Sequence, residues 1–431
     1  MMFGEFMFGA RSRLLPPSIP FRFFGAAVLF HVAAWAALAA GGDVLPGFMG
    51  GPGFVLASLH LVTLGVLAMV GMGAAYQLLP VATKRPVRST ALCAASFWLF
   101  LPGVALFGFG IGHVVMWAMH AGATLVIAGL AIFAFLIIDN LGRVKDMPLV
   151  VGHAWLAVLS LVVLAALGLL LVVDFTAGIL PDRRFVAAAH AAVAGYGFMG
   201  MLAMGFSYIL VPMFALSQVP NIALGKLSIW FAGAALTIAT VAAAVGSSMG
   251  VLVAVAAGMV AAGLHLRMMA LIMAKRMRRE LGGSFRLIRL SWILLPASLL
   301  AAVPLVLGWR VDVTAPLFGF LVVFGWLLTF LTGVLQRIMP FLASMHSAKP
   351  GIKPALVSAL TAETPLKIHF WCHCTALALV VAGIVADQPL LVQGGALVGL
   401  AGAVALGAFA VALWQRLTHH LNTPNTAEIK G

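Results

Sequence analysis

Histidine is the residue type in this chain whose placement points most directly to chemistry. Twelve histidines occur among 431 residues, and several fall inside long apolar runs. A polar side chain there is costly and is kept for a partner or a function. Two of them occupy equivalent positions. HLVTLGVLAMVGMGAAYQLLP runs from His60 to Pro80, HAAVAGYGFMGMLAMGFSYILVP from His190 to Pro212, and FLVVFGWLLTFLTGVLQRIMP from Phe320 to Pro340. Each copy opens on His or Phe and has a glycine five positions on (Gly65, Gly195, Gly325). Each closes as Gly-x-x-(Tyr/Gln)-x-x-x-Pro, with Gly73, Gly205 and Gly333 followed by Tyr76, Tyr208 and Gln336. The first and third copies have identical spacing, and the second carries two extra residues. Repetition at this scale marks a triplicated unit, which divides the chain into 1–145, 146–280 and 281–431.

Two neutral imidazoles at one depth in a membrane suit axial ligation of a flat cofactor, and haem iron takes histidine readily. The glycines at the fifth position would let a large ring or a neighbouring helix approach closely. His60 and His190 are therefore the first candidate ligands for a cofactor or metal. Arg183 and Arg184 sit just outside His190, placed either to pair with propionates or to be solvated among lipid headgroups. His113 and His120, read as one face of a fourth span at i, i+7, are further candidates. So are His31 in the first span and His265 in the eighth, each of which could instead be a buried, hydrogen-bonded histidine. His153 starts the fifth span. His369 and His373 share a face at i, i+4 that suits a metal, yet their juxtamembrane position favours solvation, as does the tail position of His419 and His420. Tyr76 and Tyr208 read as packing or interfacial anchors, with proton relay the sharper alternative. Thioethers suit Cu(I), but most of the 21 methionines read as ordinary span residues.

The elements that must position these residues are membrane helices. With 63% hydrophobic and 8% charged residues, the chain cannot clothe itself in an aqueous surface and must be polytopic. About twelve spans are expected, near 21–41, 54–80, 89–108, 112–138, 150–173, 186–213, 225–246, 249–274, 290–309, 314–340, 368–386 and 392–415. The net charge of +14 follows from basic loops on one side rather than from nucleic-acid binding. Lys84, Arg85, Arg88, Arg143, Lys226, Arg276, Arg286 and Lys367 fall on that side, and only Arg183, Arg184 and Arg310 on the other. The asymmetry places both termini in the cytoplasm. The expected fold is thus an all-α polytopic membrane protein with its helices in three pseudo-threefold four-helix units. Three cysteines supply no disulfide framework or metal pair. The first twenty residues show no cleavable signal pattern and are expected at the cytoplasmic surface. The loop 344–367 is expected to include a short surface helix, and the polar tail after Gln415 to fray. The spans hold almost no carboxylates, unlike a carboxylate-based proton or ion transporter.

In these repeat segments and this topology the chain resembles subunit I of the haem-copper oxidases and nitric oxide reductases. In character it is most similar to the NnrS family of twelve-helix haem and copper membrane proteins linked to nitric oxide response. The resemblance implies haem b, possible copper, a bacterial cytoplasmic (inner) membrane, a small gaseous ligand such as NO and an electron donor of unknown kind. By position His60 matches that superfamily's low-spin haem ligand in helix 2, and His190 its copper-site histidine in helix 6. The seventh span, LSIWFAGAALTIATVAAAVG, lacks the superfamily's histidine pair, and Phe320 stands where the tenth span would carry histidine. A complete oxygen- or NO-reducing haem-copper centre is not expected. A second class of function, a carrier of copper, haem or a small solute, would work without a redox cofactor. A third, an oxidase or reductase with an atypical site, must do without the missing histidines.

Overall fold

The computed structural model describes residues 14–144, 146–219, 221–348 and 353–422. The described residues form helices joined by short loops, because a chain in lipid must satisfy its backbone within each segment. Among the described residues twelve helices are long and apolar enough to cross a membrane: α1 (Ser18–Ala40), α2 (Phe54–Thr83), α3 (Thr90–His113), α4 (Met116–Leu141), α5 (Pro148–Ala177), α6 (Arg183–Ala215), α7 (Ile222–Ala244), α8 (Ser248–Ala274), α9 (Ser284–Val306), α10 (Val311–Ser347), α11 (Glu363–Val385) and α12 (Pro389–Asn422). The expected surface position of residues 1–13 and the last part of the tail, from residue 423, lie outside the described residues.

The hairpins α3–α4, α7–α8 and α11–α12 pack tightly within themselves, and α5, α9 and α1 close against them in turn. The repeat helices α2, α6 and α10 are the most buried of the spans. Each switches to the wider π-helical backbone near one end, over Leu61–Ala68, Val193–Met199 and Leu321–Leu328. These three π segments lie against one another in the middle of the bundle. Such segments are rare and concentrate at functional sites. The repeat's second glycine marks where the preceding helix closes in. A Cβ at Gly73 would lie 2.7 Å from Phe23 Cβ on α1, at Gly205 2.9 Å from His153 Cβ on α5, and at Gly333 3.0 Å from Ser284 O on α9. Small residues permit such approach where lipid supplies no hydrophobic drive between helices.

Several local expectations change. His113 ends α3 and His120 lies within α4, so the two do not share a helix face. Val114 takes a left-handed conformation (φ 58°), and the Val115 N–H reaches back to Gly110 O at 2.8 Å, which closes α3 there. Helix α11 starts at Glu363, which carries His369 and His373 into the bundle. Helix α12 continues through the polar segment to Asn422 instead of fraying after Gln415. Arg416 donates to the carbonyls of Ala359 (3.1 Å) and Thr361 (2.9 Å), and His420 to that of Lys353 (3.0 Å). These bonds hold it to the loop carrying the one-turn helix Val357–Leu360, the short surface helix expected there.

Candidate cofactor site

The two repeat histidines face each other. His60 on α2 and His190 on α6 have ring centroids 6.4 Å apart with planes inclined by 31°. Each stands roughly 10 Å in from its helix's outer end at 1.5 Å per residue. His60 Nδ1 donates to Leu56 O at 2.9 Å, because a carbonyl can only accept. The neutral ring therefore carries its proton on Nδ1 and presents a bare lone pair at Nε2. Phe107 of α3 meets the ring edge-on, centroids 5.3 Å apart. His190 Nδ1 is buried with no hydrogen-bond partner. Its Cε1 edge lies against Gly168 of α5, where an added Cβ would sit only 3.2 Å away.

The arginines beside this pair are committed elsewhere. Arg183 Nε donates to Asp174 Oδ2 at 2.6 Å, and its guanidinium lies 4.1 Å from the Phe175 ring centroid. Asp174, only 3% exposed, also accepts from the Leu180 N–H at 2.7 Å. Arg184 is paired with Asp182 at 2.7 Å, and its hydrogen bond holds the Asp182 carboxyl below the usual carboxylate range. Both guanidiniums thus balance carboxylates of this chain. His120 reaches the Thr176 hydroxyl at 3.4 Å, and His113 is exposed beside Phe54 and Phe109.

A second histidine cluster lies between α1, α10 and α11. His369 is 0% and His373 2% exposed, which overturns the solvated reading. Two turns into α11 they point at neighbouring helices, with rings stacked at 5.6 Å and 13°. The His31 ring lies 5.9 Å from that of His369. Trp35 Nε1–H donates to His31 Nε2 at 3.0 Å, and the Gln336 amide donates to His369 Nδ1 at 3.0 Å. The Thr329 hydroxyl spends its proton on Phe324 O, so it accepts from His373 Nε2–H at 2.7 Å. In a neutral ring an accepting nitrogen forces the proton onto the other one. His31 Nδ1 and His369 Nε2, both buried without partners, are then N–H donors and hold no lone pair for a metal.

The third cluster is built on α5, α6 and α8. His153 Nδ1 donates to Leu149 O at 2.7 Å, and His265 Nδ1 shares a hydrogen bond with the Tyr208 hydroxyl at 3.2 Å. Tyr76 OH pairs with Ser96 Oγ at 2.9 Å. Both tyrosines are fully buried in the bundle, which corrects the interfacial-anchor reading. The repeat's Tyr/Gln position (Tyr76, Tyr208, Gln336) instead hydrogen-bonds a polar group on a neighbouring helix in all three copies. At the third copy's first position, Phe320 stacks on Phe324 at 5.0 Å and 15°. Among the described residues no group of three or more His, Cys, Asp or Glu is placed to hold a metal.

Sequence reasoning missed the inner cluster. The usable signals were the i, i+4 pair on α11 and Gln336 in a repeat position otherwise held by tyrosine. What hid them was the start of α11, five residues earlier than hydropathy suggested.

No protein-family model and no curated protein matches the chain. Solved structures do, 39 chains in all. One is a heme-copper terminal oxidase dimer determined by cryo-EM, with a TM-score of 0.64 and 12% identity, covering 95% of this chain and 85% of that one. At that identity the likeness is one of fold. The chain is a multi-pass membrane protein with a haem-copper oxidase-like fold.

Proposed function

We propose that this protein binds haem b in a bacterial cytoplasmic membrane, between His60 and His190, and serves nitric oxide response or detoxification without a complete haem-copper centre. The observation that carries the reading is the facing pair itself. The rings of His60 and His190, with centroids 6.4 Å apart, would hold the iron through their imidazole nitrogens. The tautomer of His60 is already the ligating one. His190 Nδ1 has no hydrogen bond to hold it, and the missing side chain at Gly168 makes room for the ring edge against α5. When bound, haem would supply a redox-active iron, which a small gaseous ligand would reach by displacing one imidazole, and His190, whose Nδ1 has no partner, is the less firmly held of the two.

The chain's own residues divide the work. Leu56 O orients the His60 ring, Phe107 blocks its rotation, and Gly168 gives His190 its position. The Arg183–Asp174 ion pair anchors the entry to α6 and is not assigned to propionates. The triplicated reading, with units 1–145, 146–280 and 281–431, explains why two copies offer histidine at one depth while the third fills its place with the Phe320–Phe324 stack. Copper at this site has weaker support, because two imidazoles fall short of the ligand set copper centres use. The direct test is the absorbance spectrum of protein purified from cells supplied with haem precursor. A Soret band near stoichiometric haem, shifted by NO, is the expected result. A folded protein with no such band overturns the reading.

A further inference from the structure

At the cytoplasmic ends of α9, α10 and α11 lies a cavity of about 310 Å³, separate from the histidine pair. Its wall carries Arg286, Arg337 and Lys367 against a single acid, Glu363. Lys367 and Glu363 are exposed and pair with each other at 3.5 Å, which leaves the two arginines unbalanced. Among the described residues neither Arg286 nor Arg337 has a carboxylate partner. Each guanidinium lies on an aromatic face instead, Arg286 4.6 Å from the Phe370 centroid and Arg337 5.7 Å from that of Phe214. Arg337 is part of a transmembrane helix and only partly exposed, where an unpaired cation is expensive. Among the described residues Arg88, Arg143, Arg183, Arg184 and Arg310 hold carboxylates, whereas Arg286 and Arg337 do not.

The backbone adds to the same potential. Helix α9 begins at this wall with no side-chain cap at its N-cap Gly283; the Arg286 N–H donates to Gly283 O at 3.0 Å, and the positive end of the helix dipole adds to the arginine charges. The planar, fixed donors of two arginines match phosphate oxygens better than lysine would. The volume exceeds that of a bare phosphate and falls at the lower end of the range for small-molecule sites. We infer that this cavity is a cytoplasmic anion site that takes a phosphate group through Arg286 and Arg337. The phosphate can come from the headgroup of an anionic phospholipid or from a small phosphorylated solute. Gln336 lines the cavity and donates to His369, so an occupant would be connected to the inner histidine cluster through one side chain.

The test uses the full-length protein in nanodiscs of phosphatidylcholine. Thermal unfolding is followed with added pyrophosphate as the soluble probe, and separately with phosphatidylglycerol mixed into the bilayer. At least one probe should raise Tm by several degrees. The gain should vanish in the Arg286→Gln/Arg337→Gln double variant, persist in Lys367→Gln, and shrink in Arg286→Lys/Arg337→Lys, which keeps the charge but not the fork. Response to pyrophosphate identifies a soluble ligand, and response to phosphatidylglycerol alone a lipid. Because the double variant could fold poorly, native mass spectrometry of the wild type supplies an independent reading: retention of phosphatidylglycerol or pyrophosphate in preference to phosphatidylcholine is expected. No gain from either probe together with no selective retention, or equal gains in the double glutamine variant, overturns the proposal.

Discussion

The outer and inner histidine groups use the same side chain to opposite ends. At the outer pair, a backbone carbonyl fixes the proton of His60 and leaves its other nitrogen bare, with the His190 ring centroid 6.4 Å from its own. In the inner cluster each ring is engaged by a side chain: Trp35 for His31, Gln336 for His369 and Thr329 for His373. A donor into a ring nitrogen consumes a lone pair, whereas a carbonyl on the far nitrogen exposes one. The partner's hydrogen-bonding sense therefore separates His60 from His31 and His369, whereas His373 and His153, which donate to Thr329 and Leu149 O, carry their proton on the bonded nitrogen as His60 does.

The sharpest way to break this contrast is to remove one histidine from each group. His60→Ala should abolish the Soret band, with haem content falling at least about tenfold, a loss of about 1.4 kcal/mol or more, because the ring that would hold the iron is gone. His369→Ala should leave the band in place and lower thermal stability instead. A reversal of these two spectra would assign the cofactor to the inner cluster. A smaller effect is expected from Gly168→Val, whose Cβ meets the His190 ring at 3.2 Å. Haem should still bind but with a perturbed spectrum, because only the second imidazole is displaced. An unchanged spectrum would remove His190 from the site. The smallest change is expected from Thr329→Val. It leaves His373 Nε2–H without an acceptor and should cost about 1–3 kcal/mol of stability, read as a lower Tm, with the absorbance spectrum untouched.

The fold was largely legible in the residues. Apolar runs of about twenty residues can do little in lipid except span it as helices, so all twelve spans could be placed within several residues. Helix ends were less legible, because hydropathy locates the hydrocarbon and not the point where hydrogen bonding starts or stops. That is why α11 was begun at 368 rather than at Glu363, and α12 ended near 415 rather than at Asn422. The misplacement of His369 and His373 follows from the first of these. Pairing of His113 with His120 failed for a related reason: the left-handed turn at Val114 carries no glycine to announce it.

By itself the sequence determined the all-helical membrane architecture, the charge asymmetry, and the three related segments of which two carry histidine and one phenylalanine. These properties depend on local composition and on repetition, which need no knowledge of neighbours. Tertiary structure alone decided that His60 faces His190 and that Arg183 and Arg184 already hold carboxylates. It also decided that the inner histidines are absorbed by Trp35, Gln336 and Thr329, and that two arginines share an unbalanced cavity. Each of those outcomes turns on which helix faces which, and on the direction of a single hydrogen bond, and a linear pattern records neither.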